Sequence, residues 1–229
     1  MTATLPDERR YAPRLVGRVV GEFVTELQDG YLRDTGDAVG RLAQLRRGAG
    51  KLPHEVPELW GLTGAERLYE DETLSEAQAA RAETASFVAV TLYALHQQSR
   101  PDRGMHSPHI ELGAAVRRLM PPDGIDEPIR RRFVRVGTAG SLGVLAYRLR
   151  EIVSLLRRDS IPLDYGLLAE HLYRAQTPEG LAQVRRRWGR SFHAHRPPAE
   201  QDAPRPPQSE ATRPGRAPRG EDTTDKDVT

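Results

Sequence analysis

Apolar residues return every three or four positions through most of this chain, and that period confines it to helices. Leu15, Val19, Phe23 and Leu27 step by four, with Val16, Val20 and Val24 beside them, which makes a wide apolar stripe on one helix. Val39, Leu42 and Leu45 mark a second helix, ended by Gly48 and Gly50. Leu59, Trp60 and Leu62 follow a Pro-bounded loop and are expected to form a short helix or plug. Ser75 to about His96 reads as a long helix with Phe87, Val88, Thr91, Leu92 and Leu95 inward. Ile110 to Met120 is helical and is stopped by Pro121, Pro122 and Gly124. Asp126 caps a helix carrying Ile129, Phe133 and Val136. Ser141 opens another, with Leu142, Leu145, Leu149, Ile152 and Leu156 at helical steps. Asp164 caps a helix with Tyr165, Leu168 and Leu172. Thr177, with Pro178 at the first helical position, starts the last, whose face is Leu181, Val184, Trp188 and Phe192. No run alternates with period two between turn signals, so little or no sheet is expected.

The fold class expected is therefore all-α, in two helical-bundle halves. Arg100 to Pro108 is polar and contains Pro and Gly, and it is the internal boundary. The division is residues 10–104, an N-terminal bundle, and 105–196, a basic C-terminal bundle. Residues 197–229 are rich in Pro, Arg and acids and nearly lack large apolar side chains. They cannot bury enough surface to offset ordering entropy and are expected to be a disordered tail. The first ten residues hold no apolar run, so no secretory signal is expected. The chain has no cysteine, which suits a cytoplasmic setting. No stretch is long and apolar enough for a membrane partner.

The chemistry of several enzyme classes is missing. No His-Glu-x-x-His or adjacent His-Asp pair occurs, and no phosphate-binding Gly-x-x-x-x-Gly-Lys loop or Gly-x-Ser-x-Gly turn. His106 and His109 sit three apart in a loop, with Glu111 the only carboxylate near ligand spacing; loop polar residues are the simpler expectation. His193 and His195 suit the end of the last helix. Gly137, Gly140 and Gly143 follow a helix, so they mark a helix junction. Glu70, Asp71 and Glu72 precede the long helix, where negative charge is favourable. No catalytic residues, no metal and no cofactor are expected.

Charge distribution is the stronger signal. Residues 1–99 carry 11 basic and 15 acidic groups, a net −4, and residues 100–196 carry 18 basic and 10 acidic, a net +8. A basic second half suits a polyanion. Arg46 and Arg47 end the second helix, with Lys51 just after. Arg117 precedes the Pro-Pro break, and Arg130, Arg131, Arg132 and Arg135 form the densest group. Arg157 and Arg158 end one helix, and Arg185, Arg186, Arg187 and Arg190 end the last. Several lie near helix C-termini, where a cation is favourable in any protein. The candidate nucleic-acid-binding set is Arg46, Arg47, Lys51, Arg117, Arg130, Arg131, Arg132, Arg135 and Arg157. Phe23, Phe87, Phe133, Trp188 and Phe192 fall on apolar faces, so tracking of the phosphate backbone is a simpler mechanism than base stacking.

Five segments in order carry a family resemblance. They are Ala43-Gln44-Leu45-Arg46-Arg47-Gly48; Leu112-Gly113-Ala114-Ala115 with Leu119; Ile125-Asp126-Glu127 through Ile129, Arg130, Arg132 and Phe133; Leu155-Leu156 with Pro162-Leu163-Asp164-Tyr165, Leu168-Ala169 and Leu172; and Val184-Arg185-Arg186-Arg187-Trp188-Gly189-Arg190-Ser191-Phe192. With these, the chain resembles the CasB family, the small subunit of the type I-E CRISPR surveillance complex, Cascade, over about residues 15 to 192. The resemblance implies an all-helical, non-catalytic subunit of an RNA-guided interference complex. It implies two copies of the chain per complex, contacts to other Cascade subunits, to guide RNA and to target DNA, and a hold on the displaced DNA strand. Sequence recognition is delegated to the guide RNA. Two rivals are a helical DNA-binding transcriptional regulator, for which no convincing recognition helix is found, and a helical metal phosphohydrolase, for which the ligand set is missing.

Overall fold

Residues 85 to 94 contain no charged side chain, so a helix built from them has no face that needs water. The fold is arranged around that run. The computed structural model describes residues 8–70 and 74–194, and among them are eight α-helices: α1 (Glu8–Leu32), α2 (Gly36–Leu45), α3 (Glu76–Gln97), α4 (Leu112–Arg118), α5 (Glu127–Gly137), α6 (Leu142–Arg158), α7 (Tyr165–Arg174) and α8 (Pro178–Ala194). Short 3-10 turns at Arg46–Gly48, Pro53–Glu55, Pro57–Leu59 and Ala65–Tyr69 link α2 to α3. There is no strand among the described residues, only an isolated bridge between His106 and Leu163. The chain is all-α.

Every residue of α3 from Ala85 to Ala94 is buried, with α1, α2, α6 and α7 packed around it. Phe87, Val88, Thr91 and Leu92 point inward as the periodicity implies, whereas Leu95 is half-buried. Helices from both sides of the Arg100–Pro108 loop contribute to one hydrophobic cluster. α1 lies along α7, and glycine permits the approach. A Cβ built on Gly166 of α7 would fall 2.6 Å from the Gly17 carbonyl oxygen and 3.2 Å from Gly21 Cα, closer than a side-chain carbon tolerates.

Local signals set the helix starts. Oδ1 of Asp126 accepts from the Ile129 amide at 2.9 Å, Oγ of Ser141 from Val144 at 3.3 Å, and Oδ1 of Asp164 from Leu167 at 2.9 Å. Thr177 Oγ1 accepts from Gly180 at 3.2 Å and precedes Pro178, the first residue of α8. Each satisfies an amide the helix cannot pair itself. Ser75 opens α3 with Gln78 as a capping box.

One part of the expected loop plug is corrected. Leu59 is buried, but Trp60 is 66% exposed, because its indole N–H is already satisfied by the Pro53 carbonyl at 3.0 Å on the surface. The expectations for Asp71, Glu72, His195 and the tail at 197–229 fall outside the described residues.

A buried polar network ties the 100–108 loop to the core. The Gln97 side chain donates to the carbonyls of Arg100 and Arg103 and accepts from the Met105 amide, and Gln28 on α1 accepts from the His106 amide. His106 is itself buried, and its Nδ1 accepts from the Tyr165 amide at 3.1 Å. This histidine is a helix-capping group of α7; His109 is exposed.

Candidate nucleic-acid interface

A guanidinium can be consumed by nearby carbonyls or carboxylates, or it can remain available to a phosphate. The candidate cations divide along that line. Arg46 and Arg47 occupy the 3-10 turn after α2 and are exposed, as is Lys51. None of the three side chains has a hydrogen-bond or ion-pair partner among the described residues. Glycine seats this segment. A Cβ on Gly48 would lie 2.8 Å from both Leu59 Cδ1 and Thr91 Cγ2, so the turn rests on α3 only without one. Gly50 has φ +82°, and a Cβ there would meet Arg150 Cδ at 2.9 Å. The segment carrying Lys51 is thereby held against α6.

α5 is anchored by Ile129 and Val136 and by Phe133, which stacks on Phe192 of α8 at 5.4 Å between centroids. Its other face carries the arginines. Arg130 bonds both oxygens of Glu127, at 2.6 and 2.7 Å, and Arg131 adds a bond of 3.1 Å. The bonds from Arg130, then Arg131, hold the Glu127 carboxyl down to about 2. Arg132 and Arg135 are exposed, with side chains that have no ion-pair partner among the described residues. Arg148 on α6 donates to the Arg135 carbonyl, so the C-terminal end of α5 and the outer side of α6 are neighbours.

Two candidates are held by backbone carbonyls. Arg117 donates to Pro121 at 2.8 Å and Pro122 at 2.7 Å, closing the end of its own helix. Arg157 Nε donates to the Gln98 carbonyl at 3.0 Å, while Arg100 donates to the Arg157 carbonyl at 2.8 Å. These two arginines stitch the loop after α3 to the end of α6. In the last helix, Arg187 pairs with Glu111 at 2.8 Å and Arg185 donates to the Ala139 carbonyl.

The fold thus brings Lys51 beside α6 on one side and Arg135 beside it on the other. Arg150, absent from the candidate set, lies between Gly50 and the outer ridge of α6. Tyr147, also absent, is on that ridge and 54% exposed. Among the described residues no group of three or more histidines and carboxylates is placed to hold a metal. No helix among them is long and apolar enough to cross a membrane.

The family model for CRISPR-associated protein Cse2 matches residues 41–193. The chain belongs to the CRISPR-associated protein Cse2 family. A crystal structure of CasB from Thermobifida fusca superposes with a TM-score of 0.72 at 55% sequence identity, covering 79% of this chain and 98% of that one. A chain of a CRISPR RNA-guided surveillance complex shares the fold at a TM-score of 0.53 and 19% identity, covering 76% of this chain and 95% of that one. A comparison with curated proteins finds no match. One segment that carries the Cse2-family likeness has a packing reason. Gly113, in Leu112-Gly113-Ala114-Ala115, faces the Trp188 carbonyl and Ser191 Oγ of α8, where a Cβ would collide with both. Two family-like segments therefore meet across the α4–α8 contact.

Proposed function

We propose that this chain is a non-catalytic small subunit of an RNA-guided CRISPR surveillance complex and holds the displaced DNA strand through phosphate contacts. The observation that carries the reading is the 55% identity to CasB across nearly that whole protein. The more distant structural match is a chain of a CRISPR RNA-guided surveillance complex, and it supplies the class of assembly. The partners proposed are other subunits of the complex, a second copy of this chain, guide RNA and target DNA, in the cytoplasm.

Within the candidate set, Arg46, Arg47, Lys51, Arg132 and Arg135 are the proposed phosphate contacts, because their side chains are exposed and uncommitted. Arg130 and Arg131 can add to them by exchanging Glu127 for phosphate. Arg117 and Arg157 act by holding the loops beside them. Phosphate contacts carry no base information, so the loss on substitution should be alike for all target sequences.

Titrating the assembled complex with open DNA at several salt concentrations tests this. Each lost contact should flatten the slope of log affinity against log salt by roughly 0.7. Changing Arg46, Arg47 and Lys51 to alanine with no change in affinity or slope would refute the assignment. Native mass spectrometry should count two copies of the chain, and one copy would refute that part.

A further inference from the structure

Tyr147 is an aromatic residue on a helix whose apolar face is otherwise turned inward. In α6, Leu145, Ala146, Leu149, Ile152, Val153 and Leu156 are buried, and Tyr147 projects opposite to them, 54% exposed. Its hydroxyl has no hydrogen bond among the described residues, so nothing in the fold uses it. A large ring more than half exposed, with no partner for its hydroxyl among the described residues, costs apolar hydration, and a bound partner would relieve that.

Its surroundings are basic. Arg150 is one turn away on the same helix, exposed and without an ion-pair partner among the described residues. Gly50 presses the preceding loop against Arg150, and a Cβ on Gly50 would also come within 3.5 Å of Tyr147 Cα, so the backbone leading into Lys51, the next residue, runs beside this stretch of α6. On the other flank, Arg148 is bonded to the Arg135 backbone. Glu151 is the one carboxylate in α6, and it bounds the patch on the C-terminal side. Cations on both flanks of an outward ring match the chemistry of a single nucleic-acid strand, with phosphates on either side and an unpaired base between.

We propose that Tyr147 is a stacking platform for an unpaired base, with Arg150 and Lys51 holding the adjacent phosphates. This deepens the function proposed above and rests on it. It also converts the interface from one that only tracks backbone to one that selects single-stranded over paired nucleic acid. A paired base presents no free face, whereas any unpaired base does.

The test titrates the full-length chain, at low salt, into oligothymidylate carrying one central 2-aminopurine. The same oligonucleotide annealed to its complement serves as the comparison. Stacking on the ring should quench 2-aminopurine emission with the wild type and with Tyr147→Phe. Tyr147→Leu should lose the quench and weaken single-strand affinity by roughly 5- to 150-fold, the range typical of one stacked base, with the salt slope unchanged. Duplex affinity should not move. Lys51→Ala should instead flatten the slope by roughly 0.7. If Lys51→Ala behaves so while Tyr147→Leu matches the wild type, the stacking role is wrong and the backbone role stands. If neither changes anything, both are wrong and the ridge serves another partner. Because the ring is exposed, thermal melting of Tyr147→Leu should match the wild type; a fall of several degrees would mean a packing role and would also overturn the proposal.

Discussion

α3 and α5 are built on opposite plans. α3 has 22 residues, 13 of them buried, and its middle turns meet protein on every side. α5 has 11 residues and buries only Ile129 and Val136 fully, leaving arginine along the rest. The central helix supplies stability and carries no exposed cluster of charge. The peripheral helix contributes little burial and carries four arginines within six residues. A protein that must offer cations to a polyanion can place them where few apolar contacts are lost, and α5 is such a place.

The largest test of that contrast is to separate the halves. Residues 105–196 retain α5 but lack α1 and α3, against which α7 packs. We expect this fragment to show no cooperative melt, so that the whole stability, about 5–15 kcal/mol for a typical domain, is lost. A cooperative transition in the isolated fragment, followed by circular dichroism, would show that α5 belongs to an independent bundle.

Single truncations sharpen the same comparison. Leu92→Ala at the centre of α3 should cost about 3–5 kcal/mol, and Ile129→Ala on α5 about 2, since the edge can relax around the gap. Equal losses in urea unfolding would mean that α5 is as tightly embedded as α3.

Acid should separate the two regions next. Burial keeps His96, on α3, and His171, on α7, neutral in the fold, with the pKa of each pushed down to about 3. The unfolded chain takes up a proton on each below its ordinary pKa of about 6.5. Stability therefore falls as pH drops below that value, by roughly 2 kcal/mol per histidine at pH 5. His106 shifts the same way, again through burial. Amide protection factors, which correct for the slower intrinsic exchange in acid, should fall in α3 and α7 between pH 7 and pH 5. A His171→Gln variant should lose part of the dependence, and an unchanged profile would contradict the buried neutral state.

The smallest effect concerns α5 itself. Changing Arg130 and Arg131 to alanine removes two exposed ion pairs to Glu127, and such pairs are worth about 0–1 kcal/mol. Melting should barely change. A loss above about 2 kcal/mol would make these arginines structural.

What can be read from the chain alone follows the range of the interactions concerned. Caps at Asp126, Ser141, Asp164 and Thr177 act three residues onward and are legible. So are the apolar stripes, because a helix repeats them locally. The fate of an arginine is different. Arg117 closes on carbonyls four and five residues ahead, whereas Arg157 finds one 59 residues back. Nothing near Arg157 in sequence announces that. Arg150 and Tyr147 are silent in the sequence for a related reason, since their importance comes from Gly50, a residue 97 positions earlier than Tyr147. Trp60 departs from expectation because size and hydrophobicity suggest burial, while its surface hydrogen bond depends on a loop conformation. The burial of the middle turns of α3 on every side does have a sequence signal, the charge-free run from Ala85 to Ala94, which does not show as a one-sided stripe.

The chain's two tryptophans differ in a way that can be used optically. Trp60 faces water, whereas Trp188 is 2% exposed and donates its indole N–H to His171 Nδ1 at 3.0 Å. A Trp60→Phe variant would leave one emitter, sealed between α7 and α8 and shielded from iodide. Its light would come from a ring whose hydrogen-bond acceptor is lost once His171 takes a proton. The emission of that variant would then follow, during an acid titration, the moment at which the contact between the last two helices lets go.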